Sequence, residues 1–218
     1  MSDEGQSNKV QIIDTGVANI CSLGAAFERL GYEWSLTRDR HTIAESQRVL
    51  LPGVGAFAAA MTTLNEDNLC EVIVDRLNGN SPDKKTLAIC LGLQLLCTTS
   101  EESPGVPGLG VIPHEIKRFS TSVQSPQLGW NQVTPNANNE STGNYTAGSA
   151  YFANSFRLVD PPSNWNYATT NYDGQFISSF WRGNVLACQF HPELSGQWGQ
   201  QLLSKWLEGE ICSPSFGH

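Results

Sequence analysis

The 218-residue sequence has no apolar run near the roughly eighteen residues that a membrane-spanning helix requires. Its first eight residues, MSDEGQSN, are polar and acidic and lack the apolar segment of a secretion signal. Positive charges are also few, with 13 Lys and Arg against 21 Asp and Glu, and they form no cluster. A net charge of −8 would repel a phosphate backbone. We therefore expect a cytoplasmic protein that neither enters a membrane nor binds nucleic acid.

Closely spaced cysteine pairs are missing as well. The six cysteines lie at positions 21, 70, 90, 97, 188 and 212, and no two of them form a Cys-x-x-Cys pair. Without a secretion signal, this scatter does not indicate a disulfide framework, and the histidines have no spacing typical of zinc ligands. Each cysteine is expected to be a small apolar core residue unless its neighbours indicate otherwise. We predict no metal site.

The first hundred residues alternate between short apolar runs and amphipathic segments. The predicted strands cover residues 10–14, 32–36, 47–51 and 86–89, and the predicted helices cover residues 20–30, 57–64, 69–77 and 91–97. Such an alternation indicates an α/β domain with a mostly parallel central sheet that is flanked by helices on both faces.

After residue 100 the chain becomes rich in Pro, Gly, Asn and Ser, and its apolar runs are short. Predicted strands at 150–156, 166–170 and 176–181 indicate an added antiparallel section, and residues 134–149 are predicted to form an exposed loop. A late strand at 185–190 and a closing helix at 198–207 complete the pattern. We expect one domain over residues 10–208, with a flexible N-terminus at 1–9 and a C-terminal tail at 209–218.

The most specific local feature is Cys90 with its neighbours Leu91, Gly92 and Gln94. A cysteine between a strand and a helix lies in a tight turn, and the helix N-terminus behind it favours the thiolate. Gly92 would leave room for a substrate, and a free Leu91 amide could donate to an oxyanion. A buried structural cysteine is the ordinary alternative.

A second feature, His191-Pro192-Glu193, follows the predicted strand at 185–190. In an extended segment, side chains two positions apart project to the same side, so Glu193 could orient the His191 imidazole. The imidazole could then take a proton from a thiol. By itself, a His-x-Glu pair is more often a solvated turn; its combination with Cys90 favours catalysis.

The third feature is the glycine pair Gly53 and Gly55, which follows the strand at 47–51. Glycines permit backbone angles that let peptide N–H groups face a ligand. Neither the Walker lysine nor the dinucleotide-binding spacing is present, so a phosphate loop is disfavoured. A plain strand-to-helix turn and an oxyanion-binding segment remain as alternatives.

These motifs resemble the class I glutamine amidotransferases, which share a Cys-x-Gly-x-Gln turn and a His-Pro-Glu turn. The closest resemblance is to the glutaminase subunits of imidazole glycerol phosphate synthases. It covers about residues 10–207 and is carried further by residues 14–19, 52–55, 128–131, 151–156 and 191–196.

The resemblance implies a flavodoxin-like fold and the hydrolysis of L-glutamine to glutamate and ammonia. The ammonia would pass to a (β/α)₈-barrel cyclase subunit in a heterodimer, in a step of histidine biosynthesis that forms imidazole glycerol phosphate and aminoimidazole carboxamide ribotide. No cofactor is implied.

The resemblance also implies the roles of individual residues. The catalytic triad would be Cys90, His191 and Glu193. Leu91, Val54 and Gly55 would form the oxyanion hole. The substrate would be bound by Gln94, Gly55, Ser155 and Phe156, and the cyclase would be contacted by Asn19, Trp130, Tyr151 and Leu194.

The sequence departs from the family pattern at two positions that matter. Related subunits usually have Lys or Arg where Leu194 stands, and histidine where Asn154 stands. These changes raise the alternative of a non-catalytic docking paralogue. A glutaminase for another synthase, such as one of an amidinated-sugar pathway, is a second alternative, because it would share residues 14–19 and 128–131. A peptidase of related fold is disfavoured because it would not require Gln94.

Overall fold

Short and largely apolar strands build the parallel part of a central sheet. The computed structural model describes residues 8–16, 20–78, 83–137 and 144–211. The parallel strands are β1 (Lys9–Ile13), β2 (Glu33–Thr37), β3 (Arg48–Leu51), β4 (Lys85–Ile89) and, late in the chain, β12 (Val185–Cys188). They lie in the order β2-β1-β3-β4-β12, which is the strand order of a flavodoxin-like sheet.

Helices occupy the connections between the parallel strands. They are α1 (Ile20–Arg29), α2 (Arg40–Glu45), α3 (Phe57–Glu66), α4 (Cys70–Asn78) and α5 (Leu91–Leu95), and α6 (Gly196–Glu208) follows β12. Helix α2 begins where the Asp39 carboxylate accepts the Thr42 backbone N–H at 2.7 Å. Helix α6 ends at Gly209, whose φ of +81° is accessible to glycine without strain.

The central strands are buried because helices cover both faces of the sheet. On β3, Val49 and Leu51 pack with α3 and α4, whereas Leu50 packs with α1 and α6. Successive side chains of a strand point to opposite faces, so one strand contributes to two apolar cores. The four residues of β3 are all buried, as expected for a strand covered on both faces.

The second half of the chain extends this sheet with mostly antiparallel strands. They are β5 (Cys97–Ser100), β6 (Ile112–Arg118), β7 (Gln127–Pro135), β8 (Gly148–Asn154), β9 (Phe156–Leu158), β10 (Asn166–Asn171) and β11 (Gln175–Arg182). From β12 the sheet continues through β11, β10, β7 and β8, while β5, β6 and β9 form a side branch. The predicted fold class is therefore confirmed.

Several predicted boundaries were wrong. The helix predicted at 91–97 ends at Leu95, because Cys97 begins β5 and pairs with Ile112. The strand predicted at 150–156 is two strands separated at Ser155. Lys9, assigned to a flexible N-terminus, is the first residue of β1, while residues 1–7 lie outside the described part. Strands β5, β6 and β7 and helix α2 were not predicted.

The segment predicted as an exposed loop, residues 134–149, is partly a core element. Thr134 belongs to β7 and Ser149 to β8, while residues 138–143 lie outside the described part. Tyr145 is 3% exposed and stacks on Trp181 with ring centroids 4.2 Å apart. Because the residues around Tyr145 are mostly polar, the sequence does not indicate that this side chain is buried.

A buried cation, Arg76 of α4, ties α2 to the sheet. Its guanidinium donates to backbone carbonyls at the end of α2 and in β4, those of Ile43, Ala44, Ser46 and Lys85, at 2.8–3.2 Å. Burial lowers the pKa of Arg76 to about 10, so it is still protonated at neutral pH. Carbonyls left over at a helix end are stabilised by such a donor.

We predict that Arg76→Met lowers the free energy of unfolding by about 3 kcal/mol, because several buried carbonyls lose a charged donor. The exposed pair of Arg40 with Glu71, 2.8 Å apart, provides the control, and Arg40→Met should cause a much smaller change. Urea denaturation of both variants measures the difference. Equal losses would contradict the role given to Arg76.

Candidate active site

Cys90 lies in the turn between β4 and α5 in a strained backbone conformation. Its φ and ψ are 54° and −109°, outside the regions that non-glycine residues ordinarily occupy. Such strain costs about 1–3 kcal/mol and persists only where surrounding contacts hold it. Here the Cys90 N–H donates to the Cys188 carbonyl of β12 at 2.7 Å. The turn is therefore anchored to the neighbouring strand.

Gly92 allows close packing of two backbone segments, and the sequence-based prediction that it makes room for a substrate was wrong. A Cβ at this position would lie 2.2 Å from the Leu51 carbonyl oxygen, and one on Gly53 would lie 2.2 Å from the Gly92 nitrogen. Both glycines are required because the segment after β3 packs directly against the Cys90 turn. The space at Gly92 is thus filled by the protein backbone and is not left for substrate.

His191 and Glu193 lie beside Cys90, just beyond the end of β12. The His191 N–H donates to the Tyr151 carbonyl at 2.9 Å, and the Ser195 hydroxyl donates to the His191 carbonyl at 2.6 Å. His191 Nδ1 lies 2.9 Å from Glu193 Oε1. The sequence predicted this contact through an extended segment; instead, a 3₁₀ turn at Pro192–Leu194 brings the carboxylate back to the ring.

The electrostatics of His191 favour its protonated form. Burial would lower the pKa of His191, but hydrogen bonds and charge interactions with Cys90 and Glu193 outweigh burial and raise this pKa to about 10. The imidazole therefore interacts with both the sulfur and the carboxylate, and the structure brings the three predicted catalytic residues together. Such an arrangement supports a thiolate nucleophile beside a proton donor.

Two other cysteines, Cys97 and Cys188, differ from Cys90 in their environment. Both are fully buried, and burial raises the pKa of each thiol, so both stay protonated. Cys21 is exposed and Cys70 is half-buried. The expectation of a small apolar core residue therefore fits Cys97 and Cys188, but not Cys21.

A cleft of about 240 Å³ opens beside the Cys90 sulfur, which is enough for an amino acid. Among its lining residues are all those predicted for the triad nucleophile and base, the oxyanion hole and the substrate pocket: Cys90, His191, Leu91, Val54, Gly55, Gln94, Ser155 and Phe156. Glu102 and Asn154 also line it. These residues come from five separate segments, so the fold assembles the cleft.

The Leu91 amide is not free, contrary to the sequence-based expectation. Its N–H donates to the Gly53 carbonyl oxygen at 3.3 Å. An oxyanion could be bound by this N–H only after the Gly53 carbonyl turns away. The following Gly55 has a φ of 112°, so this short segment already uses conformations that favour glycine.

Sequence reasoning missed two residues of the cleft region. Glu102 accepts the Phe57 N–H at the start of α3 at 3.0 Å through one oxygen, and it is a carboxylate in the wall of the cleft. Gln189 is fully buried and its amide nitrogen lies 3.6 Å from the Cys90 sulfur. The available signal was its position in the predicted strand at 185–190, two residues before His191.

A second and more apolar cavity, of about 160 Å³, lies at the carboxyl ends of β1, β3 and β4. It is lined by His191, Glu193 and Leu194, by Ile89 at the end of β4, by Ala153 of β8, and by residues that follow β1 and β3: Thr15, Ile20, Leu23, Pro52, Gly53 and Val54. In an open α/β sheet, this edge is where ligands ordinarily bind. His191 lines both cavities, of which the first is also lined by Cys90 and the second by Glu193.

An exposed apolar surface lies near the second cavity. Leu128, Trp130 and Leu194 are 61%, 58% and 41% exposed, and the Trp130 ring packs edge-on against Tyr151. Three of the residues predicted to contact a partner are therefore grouped here. The fourth, Asn19, lies outside the described residues.

Within residues 8–16, 20–78, 83–137 and 144–211, no group of three or more His, Cys, Asp or Glu side chains could hold a metal ion. None of the helices in these ranges is long and apolar enough to cross a membrane.

A cysteine in a strained turn beside a paired histidine and glutamate is the arrangement found in cysteine-dependent hydrolases and acyl transferases, here on a flavodoxin-like sheet. Comparison with known families makes this specific. The family model for glutamine amidotransferase class-I matches residues 5–208, so the chain belongs to the class I glutamine amidotransferase family.

Curated relatives identify the branch of the family. The imidazole glycerol phosphate synthase subunit HisH of Moorella thermoacetica is 39% identical over 210 residues, which cover 96% of this chain and 99% of the relative. The subunit HisH of Yersinia pseudotuberculosis is 37% identical over 91% of this chain and 98% of its own. The chloroplastic imidazole glycerol phosphate synthase hisHF of Arabidopsis thaliana is 38% identical over 93% of this chain, which spans about a third (34%) of that longer protein.

Solved structures support the fold at lower identity. A crystal structure of a glutamine amidotransferase matches with a TM-score of 0.71 and 16% identity, over 92% of this chain and 98% of the other. The structure of PurLQS from Thermotoga maritima matches with a TM-score of 0.68 and 17% identity, over 92% and 97%.

We predict that Glu193→Gln lowers the pKa of His191 from about 10 by at least one pH unit, because a charged partner is lost. Protonation of His191 stabilises the folded chain, because its pKa is about 10 there and 6.5 in the unfolded chain. This stabilisation is fully present below pH 6.5 and is lost as the pH rises through 10. The stability difference between the chain and its variant should therefore be larger near pH 6 than near pH 10. NMR titration of the His191 ring and urea denaturation measure the two effects; an unchanged titration would refute the prediction.

Proposed function

We propose that the chain is the glutaminase subunit of an imidazole glycerol phosphate synthase and acts in the cytoplasm. It hydrolyses L-glutamine and delivers ammonia to a (β/α)₈-barrel cyclase, which forms imidazole glycerol phosphate and aminoimidazole carboxamide ribotide in histidine biosynthesis. The observation that carries the proposal is the contact of His191 with both Cys90 and Glu193 at the edge of an amino-acid-sized cleft. The similarity to HisH subunits over nearly the whole chain supports the pathway.

The chemistry follows from the three side chains. The Cys90 thiolate attacks the side-chain amide carbon of glutamine, and the carbonyl oxygen becomes an oxyanion. The His191 imidazolium then protonates the nitrogen, ammonia departs, and a γ-glutamyl thioester is left on the sulfur. Neutral His191 next takes a proton from water, which attacks the thioester and releases glutamate and the thiolate. Glu193 holds the ring and stabilises its positive charge throughout.

The lining of the cleft supports recognition of glutamine. Gln94, Gly55, Ser155 and Phe156 are the proposed substrate-binding residues. Glu102 supplies a carboxylate to the same wall, which suits the α-ammonium group of an amino acid.

Oxyanion stabilisation requires a local rearrangement. Leu91 and the Val54–Gly55 peptide are the proposed donors, yet the Leu91 N–H is engaged by the Gly53 carbonyl. Rotation of the Gly53–Val54 peptide would release this N–H toward the substrate oxygen. Preorganised donors of this kind contribute about 3–4 kcal/mol to acyl transfer. We therefore expect slow turnover until substrate or partner favours the rotated peptide.

The partner surface is proposed to comprise Asn19, Trp130, Tyr151 and Leu194. Aromatic side chains with exposed area are the residues that most often dominate interface energies. Leu194 makes this surface apolar where related subunits carry a basic residue, so the matching position of the cyclase should not require a cation. Ammonia would leave through the apolar cavity between His191 and Leu194.

Two alternatives differ from this proposal in pathway or in activity. A glutaminase of an amidinated-sugar pathway would use the same triad with another synthase. A non-catalytic docking paralogue would have no need for a strained Cys90 turn beside a paired His191 and Glu193, and these features favour a catalytic subunit.

The central test measures glutamate release in the presence of the barrel cyclase from the same genome. The chain should release glutamate and restore growth of a histidine auxotroph that lacks this subunit. Cys90→Ala should lower the rate by at least a thousandfold, because no thioester can form. Cys97→Ala is the matched control, since Cys97 is a buried cysteine that is not among the residues lining the cleft, and this change should leave the rate unchanged.

The outcomes separate the alternatives. Glutamate release without growth rescue would favour another synthase. Complex formation without Cys90-dependent release would favour the docking paralogue.

We predict that Trp130→Ala weakens binding to the cyclase by about thirtyfold or more, the loss typical of a buried aromatic anchor. Leu36→Ala is the control, because Leu36 is 47% exposed on β2, at the opposite edge of the sheet. Isothermal titration calorimetry measures both affinities. A Trp130→Ala affinity equal to that of the control would place the interface elsewhere.

A further inference from the structure

Gln189 connects the substrate cleft to the nucleophile through a buried hydrogen-bonded chain. Its side-chain oxygen accepts from Gln94 Nε2 at 3.0 Å, and its own Nε2 donates to the Cys90 sulfur at 3.6 Å. Its backbone N–H donates to the Ser178 carbonyl at 2.8 Å. Gln189 is 0% exposed, so no solvent competes for these groups.

The orientation of the Gln189 amide follows from its neighbours. Gln94 Nε2 also lies 3.3 Å from the Phe156 carbonyl oxygen, which can only accept. Gln94 must therefore present its nitrogen to this region, and the Gln189 group that faces this nitrogen must be the oxygen. Nε2 of Gln189 is then the only part of its amide left to face Cys90.

A donor in this place has a chemical consequence. An N–H group favours a thiolate over a thiol, whereas an oxygen in the same position would repel the thiolate. With His191 also in contact with the sulfur, the thiolate has two donors and a fixed direction. Gln94 and Phe156 line the cleft, so this series of hydrogen bonds links the substrate pocket to the Cys90 sulfur.

We propose that Gln189 is a further catalytic residue, a fixed N–H donor that stabilises and aims the Cys90 thiolate and whose orientation is set by Gln94. This inference rests on the proposed glutaminase function. The alternative is that Gln189 only fills a buried space, in which case its donor group would not influence the reactivity of the sulfur.

The test compares Gln189→Met, which keeps an unbranched side chain of similar volume but has no donor, with Ser178→Ala as the control. Ser178 is also fully buried, and its side chain makes no contact with Cys90 among the described hydrogen bonds. Alkylation of Cys90 by iodoacetamide is followed by peptide mass spectrometry across a pH series. The exposed Cys21 in the same sample is the internal reference.

Gln189→Met should slow alkylation of Cys90 near neutral pH by about threefold to tenfold and move its pH profile to higher pH, as loss of a donor to a charged group requires. The rate at Cys21 and both rates in Ser178→Ala should not change. In glutamate release with the cyclase, kcat should fall by a similar factor with little change in KM. Unchanged alkylation of Cys90 in a folded Gln189→Met variant would overturn the proposal.

A measurement on the unaltered chain covers the case in which Gln189→Met does not fold. The Gln189 side-chain amide resonances should shift with pH in a transition that is absent from Cys90→Ala. Their independence of Cys90 would overturn the proposal.

The proposed function can fail separately. If the chain releases no glutamate while Gln189→Met still slows alkylation of Cys90, the donor role of Gln189 is supported and the proposed glutaminase function is contradicted. If glutamate is released and Gln189→Met behaves as the control, the donor role falls.

Discussion

The parallel pairing of β4 with β12 is the contact on which the site depends. Its register places Ile89 opposite Cys188, and the N–H of the next residue, Cys90, donates to the Cys188 carbonyl. The residues that follow these two strands therefore emerge at the same edge of the sheet, with Gln189 and His191 beside the sulfur. Both strands are buried in the centre of the sheet, so their backbone hydrogen bonds are shielded from water, and the relative position of thiol and imidazole is held by the core.

Short sequence patterns predict the strands and turns whose formation depends on neighbouring residues alone. The strand β3 could be found because RVLL is bounded by polar residues and a Pro-Gly pair, and the Cys90 turn because a strand meets a helix there. The early end of α5 could not be found, because residues 91–97 are almost uniformly apolar. That end is set by the pairing of Cys97 with Ile112, a contact between distant residues that leaves no local signal.

The same distinction applies to the site. The grouping of Cys90, His191 and Glu193 could be predicted because each of them lies in a short motif with recognisable chemistry. The roles of Gln189 and the Leu91 amide could not, since each depends on a partner far along the chain: Gln94 is 95 positions from Gln189, and the Gly53 carbonyl belongs to another loop. A sequence shows which groups can donate or accept a hydrogen bond. Only the fold shows which of them are already engaged.

The proposed catalytic groups are divided between rigid and adjustable parts of the molecule. Cys90, Gln189 and His191 follow paired strands, so the thiol, its proposed N–H donor and the imidazole are held in place by the sheet. Of the proposed oxyanion donors, the Val54–Gly55 peptide lies on the segment 53–55, where Gly55 has a positive φ, and the Leu91 N–H is occupied by the Gly53 carbonyl of the same segment. Acyl transfer needs both sets, since a thiolate attack without oxyanion stabilisation is slow by a factor of about a hundred or more. The smallest change that completes the site is therefore rotation of one peptide, and the strands that hold the triad need not move.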